Sequence, residues 1–323
     1  MFPKAGPPLF QNRGRDTEVR ILPTQEAVRR LEAWGFKPID FLSFAFFILI
    51  SVLIVLFPAR VVHAPRYLLI HLAYLAMIAA LVLENRLHPA WRPLFFVRTV
   101  YPILAAAFIY TSIEGYSLVF WPHYLDPQII ALEKSVWGGA PNLWLERWVS
   151  KPLTEYFMAV YFSYYLYLAL PPLILFFTRR YADLERYVFF IIFTFYAAYL
   201  GFLIVPVAGP VHALAHEFTL PKLTGYVFAP LQSLLMQEDP KGTCFPSSHV
   251  AVSWVALFCL RRIFGKRWFW LIFPFTVSLT MSVVYNRYHY LSDALAGLIT
   301  AWICYQLCLR LYPPPAAAAV ISS

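Results

Sequence analysis

Residues 244–293 read CFPSSHVAVSWVALFCLRRIFGKRWFWLIFPFTVSLTMSVVYNRYHYLSD, and the alternation of polar and apolar runs within them decides the fold. Two polar clusters, Cys244-Phe245-Pro246-Ser247-Ser248-His249 and Tyr285-Asn286-Arg287-Tyr288-His289-Tyr290-Leu291-Ser292-Asp293, bracket apolar runs of helical length. If a helix starts near residue 290, His289 and Asp293 stand one turn apart on one face. That spacing suits a carboxylate that orients an imidazole. Two histidines, an aspartate, an arginine and two serines at the mouths of membrane helices can hold a phosphate and attack it.

The rest of the chain is equally apolar. It is 60% hydrophobic, only 13% charged, and has a mean hydropathy of +0.62. Soluble globules are nearer roughly half apolar, so the composition excludes one and predicts a polytopic membrane protein. Segments able to cross about 30 Å of hydrocarbon, each about 17–25 residues, fall at 39–57, 66–83, 94–111, 153–177, 187–208, 249–264, 268–284 and 291–311. The fold class is therefore all-α, a transmembrane bundle of about eight helices. No segment alternates with the period of two that a barrel needs, and in lipid only helices or closed barrels satisfy their own backbone.

Lysine and arginine favour cytoplasmic loops. With the N-terminus inside, 18 of them fall on the inner side and 8 on the outer. Both termini are then cytoplasmic, and both polar clusters face the periplasm or lumen. The net charge of +9 is explained by topology and by attraction to anionic lipids at the inner surface, not by nucleic-acid binding, which usually shows longer basic runs. Three of the cysteines, Cys259, Cys304 and Cys308, lie in predicted spans. Cys244 is near the outer surface, so neither a disulfide framework nor a Cys-x-x-Cys metal motif is expected. The polar first 38 residues do not read as a cleavable signal peptide.

In chain order, residues 1–23 read as a flexible tail. Thr24 can cap a short helix with Ala27, Val28, Leu31 and Trp34 on one face, closed by Gly35, which would lie on the inner leaflet or bind a partner. The first two spans contain no clustered ionisable group beyond His71, which reads as hydrogen-bonded packing. Residues 112–152 carry Trp121, Trp137, Trp144 and Trp148 with Glu114, Asp126, Glu133 and Glu146. So long a structureless loop is unusual; short interfacial helices are expected, either guiding a lipid sideways into the site or simply covering the bundle. The fourth and fifth spans are rich in tyrosine, read as core packing, and Pro206, Gly209 and Pro210 end the fifth. His212 and His216 have the spacing of a zinc pair, but no third ligand of the usual kind stands beside them.

A phosphate ester repels nucleophiles, so its catalyst must neutralise charge, supply a nucleophile and protonate the leaving oxygen. Arg287 can neutralise charge. So can the N–H groups of Ser247 and Ser248, because Pro246 is suited to a helix start and helix N-termini bind phosphate. The serine hydroxyls can add hydrogen bonds.

Pro-Ser-Ser-His followed by Arg-x-His-x-x-x-Asp resembles the type 2 phosphatidic acid phosphatase superfamily. With Tyr199 to Pro210, reading YLGFLIVPVAGP, it looks closest to the inositol-phosphorylceramide synthase-like branch. The resemblance implies a six-helix catalytic core. It makes His289 the nucleophile that forms a phosphohistidine, Asp293 the partner holding its ring, and His249 the general acid and then base. It also implies that no metal or other cofactor is needed. Two departures stand out: Val283 occupies the position where the phosphatase branch carries arginine, and Lys-x6-Arg-Pro is missing. The Arg179 to Arg186 spacing is followed by Tyr187 and lies on the predicted cytoplasmic side, so Lys241 and His212 are the remaining candidates for the phosphate cradle.

The expected activity is transfer of a phospho-head group from a membrane lipid to an alcohol. Simple hydrolysis of a lipid phosphomonoester uses the same intermediate, and a non-catalytic lipid transporter of the same fold is the reading from a different class. The expected division is a tail at 1–38, an accessory helix pair at 39–90, a catalytic membrane domain at 91–312 and a tail at 313–323.

Overall fold

A computed structural model describes residues 33–235 and 240–312. The expected tails, and the amphipathic helix over residues 24–35, fall wholly or mostly outside them. Every regular element among the described residues is helical, without a strand. The long helices are α1 (Pro38–Leu56), α2 (Ala64–Leu87) and α3 (Arg92–Ser112), followed by the short α4 (Asp126–Trp137) and α5 (Pro141–Leu145). Next come α6 (Lys151–Phe162), α7 (Tyr164–Phe177) and α8 (Tyr181–Ile204), then the short α9 (Pro210–Ala213) and α10 (Phe228–Leu235). Three closing helices are α11 (Ser248–Phe264), α12 (Lys266–Tyr285) and α13 (Leu291–Leu311).

Among the described residues, seven helices are long and apolar enough to cross a membrane, with α6 and α7 counted as one span, and the protein is a multi-pass membrane protein. The sixth expected span, 249–264, forms as α11, but at 17 residues it is shorter than the rest. It tolerates this because it packs against α7, α8, α12 and α13, so protein covers much of it. Its face from Ser248 to Leu260 is largely buried. Gly297 of α13 lets the two helices meet, since a Cβ there would overlap the Ser247 carbonyl.

The fourth expected span is broken. The Ser163 amide splits its hydrogen bond between Ala159 O and Val160 O, at 3.1 and 3.0 Å, and its hydroxyl takes Val160 O as well. Tyr161 and Tyr164, which flank this break, both pack against one histidine, described below. The fifth span starts earlier than expected, at Tyr181, and ends at Ile204.

One reading of the first spans holds and another changes. His71 is packing, as expected, with Nδ1 2.9 Å from Ser51 Oγ between α1 and α2. Asp40, however, is completely buried at the start of α1. It receives the Lys37 amide at 2.8 Å and the Arg98 guanidinium at 2.6 Å. Arg98 also donates to the Gly35 carbonyl. It is thus an interior residue of the bundle rather than a water-facing charge of the kind the inside count relies on. Lys37 meets Glu185 of α8 at 2.6 Å, so this ionic cluster fastens α1 to both α3 and α8.

Candidate active site

At one end of the bundle the loops after α8, before α11 and between α12 and α13 are stitched together. Gly242 N donates to Val207 O, Val211 N to Arg287 O, and Ser247 N to Asp293 O. Gly209 belongs to this seam: its φ of +100° suits a residue without a side chain, and a Cβ would overlap Cys244 Sγ.

Two helix starts place the ionisable groups. α13 begins at Leu291, and Asp293 Oδ2 receives the Tyr290 amide at 2.9 Å, satisfying an orphan donor of the first turn. The same carboxylate lies 3.5 Å from His289 Nδ1, an ion-pair distance but longer than a formed hydrogen bond. α11 begins at Ser248 with Ser247 as its N-cap, whose hydroxyl accepts from Val250 N. His249 follows, and its ring centroid lies 6.1 Å from that of His289. Tyr161 OH sits 3.0 Å from His249 Nε2, while Tyr164 and Tyr110 pack on the ring at 4.5 and 6.3 Å. Asp293, His289 and His249 are all buried.

The phosphate-binding candidates are placed less uniformly. Ser247 and Ser248 are buried beside the histidines, but the Ser247 amide is already given to Asp293 O, so its part is to cap and tie. Arg287, at φ +66°, donates to Glu146 at 2.9 Å and Leu220 O at 2.7 Å, and its guanidinium stacks 3.9 Å from the Phe218 ring. Burial pulls its pKa down, and the Glu146 carboxylate opposes that. Glu146 itself is held below the carboxylate range despite burial, by the Leu220 and Thr219 amides and the Thr219 hydroxyl. Lys241 is exposed and His212 half-buried. His216 is an exposed residue 3.9 Å from Glu217. Among the described residues no metal-type cluster forms around His212 and His216.

The segment 112–152 does form short helices, and its polar residues were not singled out as parts of the site. Asp126 is buried and accepts from the Ala208 and Gly209 amides at 2.8 and 2.9 Å and from Tyr290 OH at 3.0 Å. Burial raises the Tyr290 pKa, with Asp126 adding to it, which keeps the phenol a donor. Glu133 Oε1 takes both the amide and hydroxyl of Ser292, capping α13 from outside; burial raises its pKa against those two bonds. Asn142 Nδ2 donates to Val284 O and to the carbonyl of His289 itself, at 2.9 and 3.0 Å. The available signal was that Asp126, Ile129 and Glu133 recur on one face of α4, and all three are buried. Acid groups on an apolar helix face ask for a partner.

Asp126→Ala is expected to strand three buried donors, each worth about 1–3 kcal/mol when unpaired. Turnover should fall by about 10–100-fold, because the seam carrying His289 loosens, whereas Asp126→Asn, which retains one acceptor oxygen, should lose less. Parallel rate and thermal-unfolding measurements on the two variants check this, and equal behaviour of both with wild type would refute it.

A family model described as the PAP2 superfamily matches residues 127–307, from α4 into α13. No curated protein matches the chain. No solved structure matches it either. The matched stretch covers more than half of the 323 residues and contains both helix starts, both histidines and the carboxylates Glu133, Glu146 and Asp293. This multi-pass helical membrane protein belongs to the PAP2 superfamily.

Proposed function

We propose that the protein is a lipid phosphotransferase of the inositol-phosphorylceramide synthase-like kind, moving a phospho-head group from a membrane lipid to an alcohol acceptor. In this scheme His289 attacks phosphorus through Nε2, the nitrogen turned from Asp293, and the bond to the lipid oxygen breaks. His249 protonates that oxygen. Because Nε2 of His249 meets Tyr161 OH, the nitrogen left for the leaving group is Nδ1. The deprotonated His249 then takes the acceptor's proton as its oxygen displaces His289 from phosphorus.

The observation that favours transfer over hydrolysis is burial: His249 is 7% exposed and His289 3%. A phosphohistidine shielded from bulk water meets an acceptor delivered within the membrane more readily than a water molecule. Ser247, Ser248 and Arg287 are our candidates for holding the phosphate, with Lys241 and His212 beside them. Arg287 reaches it only by leaving Glu146. The accessory pair at 39–90 and the catalytic region at 91–312 belong to the same proposal.

Purified protein given a panel of labelled phospholipids, with and without inositol and ceramide, tests the reading. A new phosphodiester lipid that requires the acceptor supports transfer; free phosphate alone supports hydrolysis, and no product supports a transporter. Turnover should persist in excess chelator, and a loss reversed by added metal would remove the metal-free scheme.

The site is proposed to face the periplasm or lumen. The four cysteines are buried, so background labelling should be low, and cysteines placed at the exposed Lys241 and Lys266 should react with an impermeant thiol reagent from opposite sides. Labelling of both from one side would overturn the topology.

A further inference from the structure

The thiol of Cys244 has no part in the proposed reaction, yet it stands against the catalytic pair. Its Sγ, a ring nitrogen of His289 and a carboxylate oxygen of Asp293 all lie within 4.8 Å of one another, and all three residues are buried. Two polar atoms of this pair remain available to an ion. Among the described residues, His289 Nδ1 and Asp293 Oδ1 have no hydrogen-bond partner, although their side chains are 4% and 0% exposed. Asp293 Oδ2 is already engaged by the Tyr290 amide, so Oδ1 can bind without undoing the start of α13.

We propose that Cys244, His289 and Asp293 form an inhibitory site for Zn2+. A sulfur, an imidazole nitrogen and a carboxylate oxygen suit zinc or cadmium, whereas magnesium and calcium prefer oxygen throughout. Zinc bonds of about 2.0–2.3 Å require the three ligand atoms to close in by about 1 Å. Cys244 and His289 stand on loops, not inside helices, and can make that adjustment. On binding, the Cys244 thiol releases its proton to solvent and exchanges its 3.4 Å contact with Tyr288 O for a bond to zinc. Thiolate and carboxylate then balance the two charges of the ion, so the loaded site is neutral.

Inhibition follows from the tautomer. A neutral imidazole that gives its Nδ1 lone pair to zinc carries its proton on Nε2. That nitrogen then has no lone pair to attack phosphorus, and Asp293 no longer faces the ring. The effect on turnover rests on the proposed role of His289; the binding itself does not.

The test uses the purified full-length protein, stripped of metal. Equilibrium dialysis with Zn2+ should find one bound ion per chain, and Cd2+ should give a thiolate-to-metal charge-transfer band. In Cys244→Ser and Cys244→Ala the band should vanish and zinc affinity should fall by about tenfold or more. Zinc should also stop wild-type turnover, chelator should restore it, and the Cys244 variants should keep their basal rate in zinc that silences wild type. Absence of the band in wild type, or equal zinc sensitivity of wild type and both Cys244 variants, would overturn the site. If His289→Ala keeps its turnover the nucleophile reading fails, yet the cadmium band still decides whether the site exists.

Discussion

Turnover of His289→Ala is expected to fall by at least about 10⁴-fold, the scale on which enzymes lose rate when a nucleophile that works as part of a unit is removed. The fold should survive. The His289 side chain approaches Asp293 at 3.5 Å, while its backbone amide and carbonyl, held by Val283 O and Asn142, are untouched by the change. Single-turnover measurement with labelled lipid adds a second check: wild-type protein should trap acid-labile, base-stable phosphate on the chain and the variant none. A variant that retains more than about a tenth of the wild-type rate at equal folded concentration would remove His289 from the mechanism.

The largest loss of stability is expected from Arg98→Ala. Arg98 is 2% exposed and Asp40 0%, and they meet at 2.6 Å inside the bundle. Deleting one member of such a pair leaves the other charge buried alone, which costs about 3–5 kcal/mol. The Gly35 carbonyl loses its donor too. A marked drop in the thermal midpoint in detergent should follow. The double change Asp40→Leu with Arg98→Met should recover part of it, because no charge is then left buried alone, although the Lys37 amide and the Gly35 carbonyl stay without these partners. Catalysis per folded molecule should be unchanged in both. Arg98 lies toward the opposite end of α3 from Tyr110, the residue of that helix that packs on His249, about 18 Å along the axis at 1.5 Å per residue. A midpoint within a degree or two of wild type for Arg98→Ala would contradict this account.

Much of the architecture is legible in the amino-acid order because the bilayer leaves few choices. Long apolar runs must be helices, and proline or glycine beside polar residues marks their ends, as at Pro206 and Gly209. The pairing of His289 with Asp293 is legible as well, since four residues along a helix is a local distance. What escapes are partners remote in sequence. Nothing near Arg287 says that Glu146, 141 positions away, will take its guanidinium, and nothing near Tyr290 points to Asp126. Arg98 escapes for a related reason: counting basic residues by loop treats each as facing water, and a buried carboxylate such as Asp40 draws this one into the bundle. The break at Ser163 was hidden because the hydropathy of 151–177 runs straight through it.

Asp293 serves the chain in three ways at once. One oxygen closes the first turn of α13, the same carboxylate faces His289, and its main-chain carbonyl receives the amide of Ser247 at the cap of α11. Length variation is therefore shut out of this region. One residue inserted between 290 and 293 would turn the carboxylate about 100° around the helix axis, parting it from the imidazole and from the neighbouring cap in a single event. Substitutions here can be graded, but insertions and deletions cannot, and any change in chain length has to be absorbed in exposed stretches remote from the site, such as residues 88–91 between α2 and α3.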